Sequence, residues 1–467
     1  MNPKTTAVLF AIAAALAAFV YFYEIKGEQA RVEAKAAENR LFPDVEQAEI
    51  KSISLRVSDA PEIQLERRDG RWRIVAPIDF AADTFAADGI ASAITQLMSE
   101  AVIGDPQPLD AYGFHTDGAE VRFSVGDLEK TLRIGSATPV GSNSYALVGG
   151  DDRVYTVASY QFSPFKKEAE EFRDKRILDF DPAAARRAAI SWPGAEVVIE
   201  RSDEGWRMVA PTQALADAEA VDSLLMSLSL LRASGFVDDP GSDEEAGFVP
   251  PQFAVEIELS REAGDSDPAI ARIAVGGVDE SGSQRFVRGA AESLYLISQE
   301  SLDGFPRRVV EYRDRQLAEF AAEEARRIEL GFHTAGGEAV AVSANLEDGG
   351  WVSNADPVQS DRLDALVDVL SDLRAHDIIA EAFGPTELQA MGFEPARAVL
   401  QVYGDGDSTE PLAEIQLGVA FGDGITARVA DHETIFLIAT ALADAFPTDL
   451  DDYRARFVAQ PESAADE

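Results

Sequence analysis

Four histidines, His115, His333, His376 and His432, are the side chains best suited to relay protons or bind a transition metal, and no two stand at a ligand spacing. There is no cysteine, so thiol chemistry, disulfides and thiolate metal sites are excluded. The chain lacks a Gly-x-Ser-x-Gly elbow, a P-loop and a strand-coupled Gly-x-Gly-x-x-Gly. Asp405-Gly-Asp407-Ser-Thr-Glu410 misses the liganding register of an EF-hand and reads as a solvated turn. With 83 acidic residues, two carboxylates falling near each other say little about acid–base catalysis. The reading is therefore of no catalytic residue, no cofactor and no metal.

One recurring charged pattern is more pointed. Phe172-Arg173-Asp174-Lys175-Arg176, Tyr312-Arg313-Asp314 and Tyr453-Arg454-Ala455 close three successive segments. Arg186-Arg187 and Arg326-Arg327 lead into the second and third, whereas the first is entered through Ala48-Glu49-Ile50. The acid is missing where nothing follows, and the arginine pair where nothing precedes. Terminal repeats lose residues that serve only junctions. The expectation is that Asp174 meets Arg186 and Arg187, and Asp314 meets Arg326 and Arg327, with helix-end charge as the other reading.

These segments belong to a threefold template. Trp72, Trp206 and Trp351 each precede a glycine, Gly113, Gly247 and Gly392, by the same interval (113−72 = 247−206 = 392−351 = 41). Tyr155/Phe165/Phe172, Tyr295/Phe305/Tyr312 and Phe436/Phe446/Tyr453 repeat steps of 10 and 7. Such self-similarity defines tandem modules. In the first copy, strands are expected at 50–57, 62–67 and 72–75, with Asp69-Gly70 as a tight turn. Stripes at 87/90/91/94, 221/224/225/228 and 366/369/370/373 each mark one buried helix face, with Asp83 and Asp217 one turn upstream. Further strands follow at 120–125, 130–134, 144–148 and 153–157, and a second helix from about Pro164 to Ile177 closes the module. Each tryptophan is read as packing on its own module's helix, a sugar- or peptide-stacking platform being the alternative. Each Tyr-Gly-Phe-type glycine is expected at φ > 0. The fold class is α+β: an antiparallel sheet with helices packed on one face, three times over.

Composition gives an address. A net charge of −42 excludes nucleic acid as a natural partner. Residues 5–23 are uncharged for 19 positions, enough to cross a bilayer as a helix, with Tyr21 and Tyr23 at interfacial depth. Ala15-Leu16-Ala17 resembles a signal-peptide cleavage site, but the apolar run continues past it and favours an uncleaved anchor. Short N-terminal tails usually stay inside and long domains cross regardless of charge, so the body is expected outside, although Lys26, Arg31, Lys35 and Arg40 argue the other way. The division is a tail at 1–4, an anchor at 5–23, a helical stalk at 24–43, modules at 44–180, 181–320 and 321–457, and a disordered acidic tail at 458–467.

The entry Leu41-Phe-Pro43, Asp69-Gly-Arg-Trp-Arg-Ile-Val-Ala-Pro77, Tyr112-Gly-Phe114, Ile134-Gly135 and Phe172-Arg-Asp-Lys-Arg-Ile-Leu178 resemble the bacterial family called domain of unknown function 4340. The third copy diverges most, with Val352-Ser353-Asn354 where the first has Arg73-Ile74-Val75. The resemblance implies a single-pass inner-membrane protein, its bulk in the periplasm, often accompanying permease and auxiliary subunits of a gliding-motility-type ABC transporter. It supplies no catalytic residues. The expected function is a non-enzymatic accessory or scaffold; binding of an envelope glycan or another extended ligand is the alternative, and a hydrolase the third.

Overall fold

The computed structural model describes residues 39–57, 60–104, 106–114, 118–203, 205–260, 269–289, 291, 293–333, 338–404, 408–430 and 432–459. The expected anchor, nearly all of the stalk, His115, Asp405, Asp407 and the acidic end from 460 lie outside them. Among the described residues no helix is long and apolar enough to cross a membrane.

Alternating apolar residues build the first sheet from β1 (Ile50–Val57), β2 (Ile63–Arg68), β3 (Arg71–Ala76), β4 (Phe80–Ala81), β5 (Ala101–Ile103), β6 (Ala119–Val125), β7 (Leu128–Ala137), β8 (Asn143–Val148) and β9 (Val154–Ala158). The order is β4-β3-β2-β1-β6-β7-β8-β9-β5, with antiparallel pairings throughout. Asp69 and Gly70, at φ of 51° and 81°, form the two-residue turn whose twist suits a hairpin. Helix α1 (Thr84–Gln96) buries Ala87, Ile90, Ala91 and Ile94, and Asp83 caps it by accepting from the Ala86 amide at 2.8 Å.

The second copy repeats this with β10 (Ala185–Trp192), β11 (Ala195–Ser202), β12 (Gly205–Ala210), β13 (Ala214–Leu215), α2 (Ala218–Leu230), β14 (Gly235–Val237), β15 (Phe253–Leu259), β16 (Ile270–Val278), β17 (Gln284–Arg288) and β18 (Leu294–Ser298). Asp217 caps α2 through the Ala220 amide, and Val221, Leu224, Leu225 and Leu228 are buried. A two-stranded sheet pairs β19 (Gln316–Glu319) with β23 (Asp372–Arg374). The third large sheet takes β20 (Arg327–His333), β21 (Ala339–Glu347), β22 (Gly350–Ser353), β24 (Asp377–Ala380), β25 (Ala398–Tyr403), β26 (Ala413–Phe421), β27 (Gly424–Val429) and β28 (Ile435–Ala439). Its order, β22-β21-β20-β25-β26-β27-β28-β24, matches the first without the short strand at the edge. The chain is thus mostly antiparallel sheet in repeated modules, with few helices.

Two compact units are formed. One takes the described residues of Met1–Asp179, Leu230–Pro250 and Ile273–Ser301, and the other those of Phe180–Ser229, Pro251–Arg272 and Leu302–Glu467. The first copy and β14, β17 and β18 lie in the first unit; β10–β13, β15 and the third copy lie in the second.

Two expectations need correcting. The third helix, α3 (Ser360–Ser371), buries Leu363, Leu366, Val367 and Leu370, one turn earlier than the 366/369/370/373 stripe; Leu373 is buried from strand β23. No α-helix runs from Pro164 to Ile177. Short 3-10 turns at Ser159–Lys166 and Ala169–Phe172 carry Phe162, Phe165 and Phe172 into the core, and Arg173 and Arg176 form isolated antiparallel bridges to Ala82 and Arg232. Pro164 has no amide hydrogen for an α-ladder, and tight turns deliver the spaced aromatics to one side.

The Tyr-Gly-Phe elements explain a second recurring glycine. Gly113, Gly247 and Gly392 are left-handed at φ of 74°, 73° and 75°. The preceding residue's carbonyl then approaches Gly135, Gly276 and Gly418 so closely that a Cβ there would sit 2.2–2.3 Å from it. The pairing register shifts at each of these glycines, as in a β-bulge.

Candidate functional site

The recurring tryptophans face inward. Trp72, Trp206 and Trp351 are buried, and their indole N–H groups donate to Asp88, Asp222 and Asp364 at 2.8, 2.9 and 2.8 Å. Arg67 and Arg201 lie over the first two rings at 4.8 and 4.6 Å. A ring whose N–H is satisfied by its own helix is a packing element with no free face to offer a sugar. The acids were visible as a recurrence, at 88−72 = 222−206 = 16 and 364−351 = 13, the shorter interval marking the shifted third helix.

The junction residues are arranged differently from the expectation. Asp174 accepts from the Arg176 side chain at 2.7–3.2 Å and from the Arg176 amide at 3.0 Å. Arg187 pairs with Glu200 and Glu258, while Arg186 donates to the carbonyls of Ala183 and Ala185. Asp314 accepts from the Gln316 amide. Arg326 donates to the carbonyls of Glu323 and Ala325, and Arg327 pairs with Glu329 and donates to the Ser408 carbonyl. The two arginine pairs stand at the starts of strands, where Arg187 meets cross-strand carboxylates and Arg186 and Arg326 meet nearby carbonyls.

The arginine of each aromatic-Arg-Asp triplet makes the joint instead. Arg173 donates in a fork to Asp238 at 2.9 and 2.6 Å, and its guanidinium lies 4.8 Å from the Phe236 ring and 5.5 Å from Phe80. Arg313 makes the same fork to Glu381. In each pair the arginine is about nine-tenths buried and the acid half exposed, at 8% against 49% and 10% against 56%. Backbone bonds frame both joints. Asp83 and Asp174 amides bond the Phe172 and Ala81 carbonyls of the first copy, while Ile177 and Ala233 amides bond Leu231 and Lys175 carbonyls across to the second. At the next joint Asp217 and Asp314 amides bond Tyr312 and Leu215 carbonyls, and the Ala375 amide bonds Arg315. One extended segment therefore pairs backward with the module it ends and forward with the module it begins. The same forward slot of the first copy is taken by Asn39 and Leu41, whose backbones bond Ser99 and Leu97. The acids carried a signal: they stand at 238−206 = 32 and 381−351 = 30, whereas the first copy has Gly104 at 72+32.

Beside the first joint opens a cleft of about 1040 Å³. Its charged walls are Arg68, Arg71, Arg73, Asp79, Asp174, Arg176, Asp179 and Asp238, over an apolar floor that includes Phe80 and Ile177. All four lining carboxylates are bound by arginine: Asp79 by Arg73, Asp174 and Asp179 by Arg176, and Asp238 by Arg173. The hydrogen bond from Arg73 holds Asp79 below its ordinary range, and that from Arg173 does the same for Asp238. Carboxylates held ionised in this way have no proton to donate at neutral pH, but they are fixed acceptors for hydroxyl donors. The described histidines lie elsewhere. His333 bonds the Ala396 carbonyl through Nδ1, and His376 and His432 donate their amides within the third copy. Among the described residues, no group of three His, Cys, Asp or Glu side chains could hold a metal ion.

Joined antiparallel modules with a self-consistent set of joints define a tandem-repeat protein. The chain belongs to the family described as a domain of unknown function, DUF4340, whose model matches residues 72–251, 244–391 and 351–465. No curated protein and no solved structure matches the chain.

Proposed function

We propose that this protein is a non-enzymatic scaffold of the bacterial envelope, held in the inner membrane by residues 5–23 with its modules on the outer side. It serves as an accessory subunit of an ABC-type transport complex. The observation that carries the reading is the repeated joint. The residues that recur most distinctively, from Phe172-Arg173 and Tyr312-Arg313 to Asp238 and Glu381, hold successive modules together. A chain that spends its recurring chemistry on fixing the angle between modules presents a defined surface to a partner. The uncharged run at 5–23 supports the anchor, and the arginine-bound carboxylates of the cleft favour recognition over hydrolysis.

The test is purification of the full-length chain from its native membranes in mild detergent, with its companions identified by mass spectrometry. A permease and an ATPase in fixed proportion to the chain support the reading. Recovery of the chain alone, or hydrolytic activity that follows the purified chain, contradicts it. A reporter fused after Glu467 settles the side of the membrane.

A further inference from the structure

The cleft beside the first joint contains a charge arrangement that neither the fold nor the joint requires. Arg68 and Arg71 flank the Asp69-Gly70 turn and face each other directly across β2 and β3. Like charges directly opposite on a hairpin, with Cβ atoms about 5 Å apart, destabilise it. The other copies avoid this. The matching positions are Ser202 and Gly205 in the second and Glu347 and Gly350 in the third. Arg176 and Asp79 are also particular to this cleft, replaced by Gln316 and Phe457, and by Gln213 and Val358.

The arginines of the cleft are not equally occupied. Arg68 turns to Glu66 at 2.8 Å, Arg73 to Asp79 and Arg176 to Asp174 and Asp179. Arg71 makes no side-chain hydrogen bond or ion pair among the described residues. An unpaired guanidinium in a chain of net charge −42 has had many carboxylates available to it. That net charge also repels anions at long range, so an anion that binds here must do so through local geometry.

We propose that this cleft binds a sugar bearing a carboxylate or a phosphate. The anionic group docks on Arg71, with Arg68 alongside, because the planar fork of a guanidinium matches either group. The sugar hydroxyls donate to Asp79, Asp174, Asp179 and Asp238, whose arginine partners hold them in place. Ile78, half-buried in the cleft wall, supplies apolar contact for a ring face, and about 1040 Å³ is room for more than one sugar unit. The site stands on the cleft alone, so failure of the co-purification test leaves it intact, and its own failure leaves the scaffold reading intact.

The test is calorimetric titration of the full-length chain in detergent with glucose 6-phosphate, digalacturonate, cellobiose and inorganic phosphate. At least one of the two acidic sugars binds, with cellobiose and inorganic phosphate at least about ten-fold weaker, since each offers half of the recognition. Arg71→Ala weakens binding about ten- to a hundred-fold, and Arg71→Lys, which keeps the charge but loses the fork, less. Arg71 is exposed beside a turn, so unchanged thermal unfolding shows that both variants fold. Arg272→Ala, which removes an exposed arginine from the second copy, leaves affinity unchanged and excludes a general charge effect. Binding of the phosphorylated sugar alone assigns a phosphorylated ligand, and binding of the digalacturonate alone an acidic polysaccharide. The proposal is overturned if neither acidic sugar binds at millimolar concentration, or if Arg71→Ala binds as the wild type does.

Discussion

Asp238→Asn removes the ionised half of the first joint while keeping its shape. Arg173 is 8% exposed and lies against Phe236 and Phe80, so it has little access to water in place of the lost carboxylate. Hydrogen bonds to a charged group are worth about 1.5–3 kcal/mol, and the half-exposed acid places this pair in the middle of that range rather than above it, at about 2 kcal/mol. The amides at Ile177 and Ala233 bond across the joint and report its local opening. An opening cost lower by about 2 kcal/mol speeds their exchange about 30-fold, since about 1.4 kcal/mol is a factor of ten. Hydrogen exchange with peptide-level mass spectrometry on the full-length chain reads this directly. Protection at 172–178 and 231–238 falls, while the third copy, in the other unit, is unchanged. Asp174→Asn, which touches a more exposed arginine, gives a smaller effect. If Asp238→Asn changes exchange at these segments by less than about three-fold, or if Asp174→Asn exceeds it, the arginine does not make the joint.

Acidification tests the same pair with the sign fixed. Arg173 lowers the Asp238 pKa on folding, so the pair's stabilisation is complete above the ordinary value of 3.8 and is lost as pH falls from there through the folded value. The difference in thermal unfolding between wild type and Asp238→Asn should therefore be constant at neutral pH and close below about pH 4. Gly113→Ala places a side chain at φ 74° with its Cβ 2.9 Å from the Ser136 side chain, which costs about 1–3 kcal/mol and lowers the denaturation midpoint of the first unit. Asp88→Ala leaves the buried Trp72 indole N–H unpaired at a cost of about 1–3 kcal/mol. Chemical denaturation followed by circular dichroism should then show a lower midpoint for Asp88→Ala, with a smaller further loss when Asp88→Ala is made on a Trp72→Phe background.

The template of tryptophans, glycines and aromatics was readable because each copy must solve the same packing problem. Trp72 and Gly113 therefore mark the same places in the fold as Trp206 and Gly247. The first two helix faces followed from a strict period, and the third slipped by a turn because its tryptophan-to-acid interval is three residues shorter. The closing segment is not the expected helix because its buried aromatics, Phe165 and Phe172, can equally be carried on 3-10 turns. In the joint motif the position was legible but the partner was not. Arg173 and Asp174 are neighbours in sequence, and only the extended backbone, which points them to opposite sides, gives one to the next module and the other to Arg176. The cleft could not be read at all, since Asp238 of the second copy joins Arg68, Asp79 and Arg176 of the first only when the two are packed together.

On the proposed function, the joints exist to present a partner-binding surface. This is tested most directly by repeating the native-membrane purification with a full-length chain carrying Arg173→Ala and Arg313→Ala, beside the wild type. The wild type is expected to bring a permease and an ATPase with it. The doubly substituted chain reaches the membrane in equal amount, keeps its far-ultraviolet circular dichroism and loses most of both companions. Equal recovery of the companions by both chains, or their absence from the wild type, would contradict it.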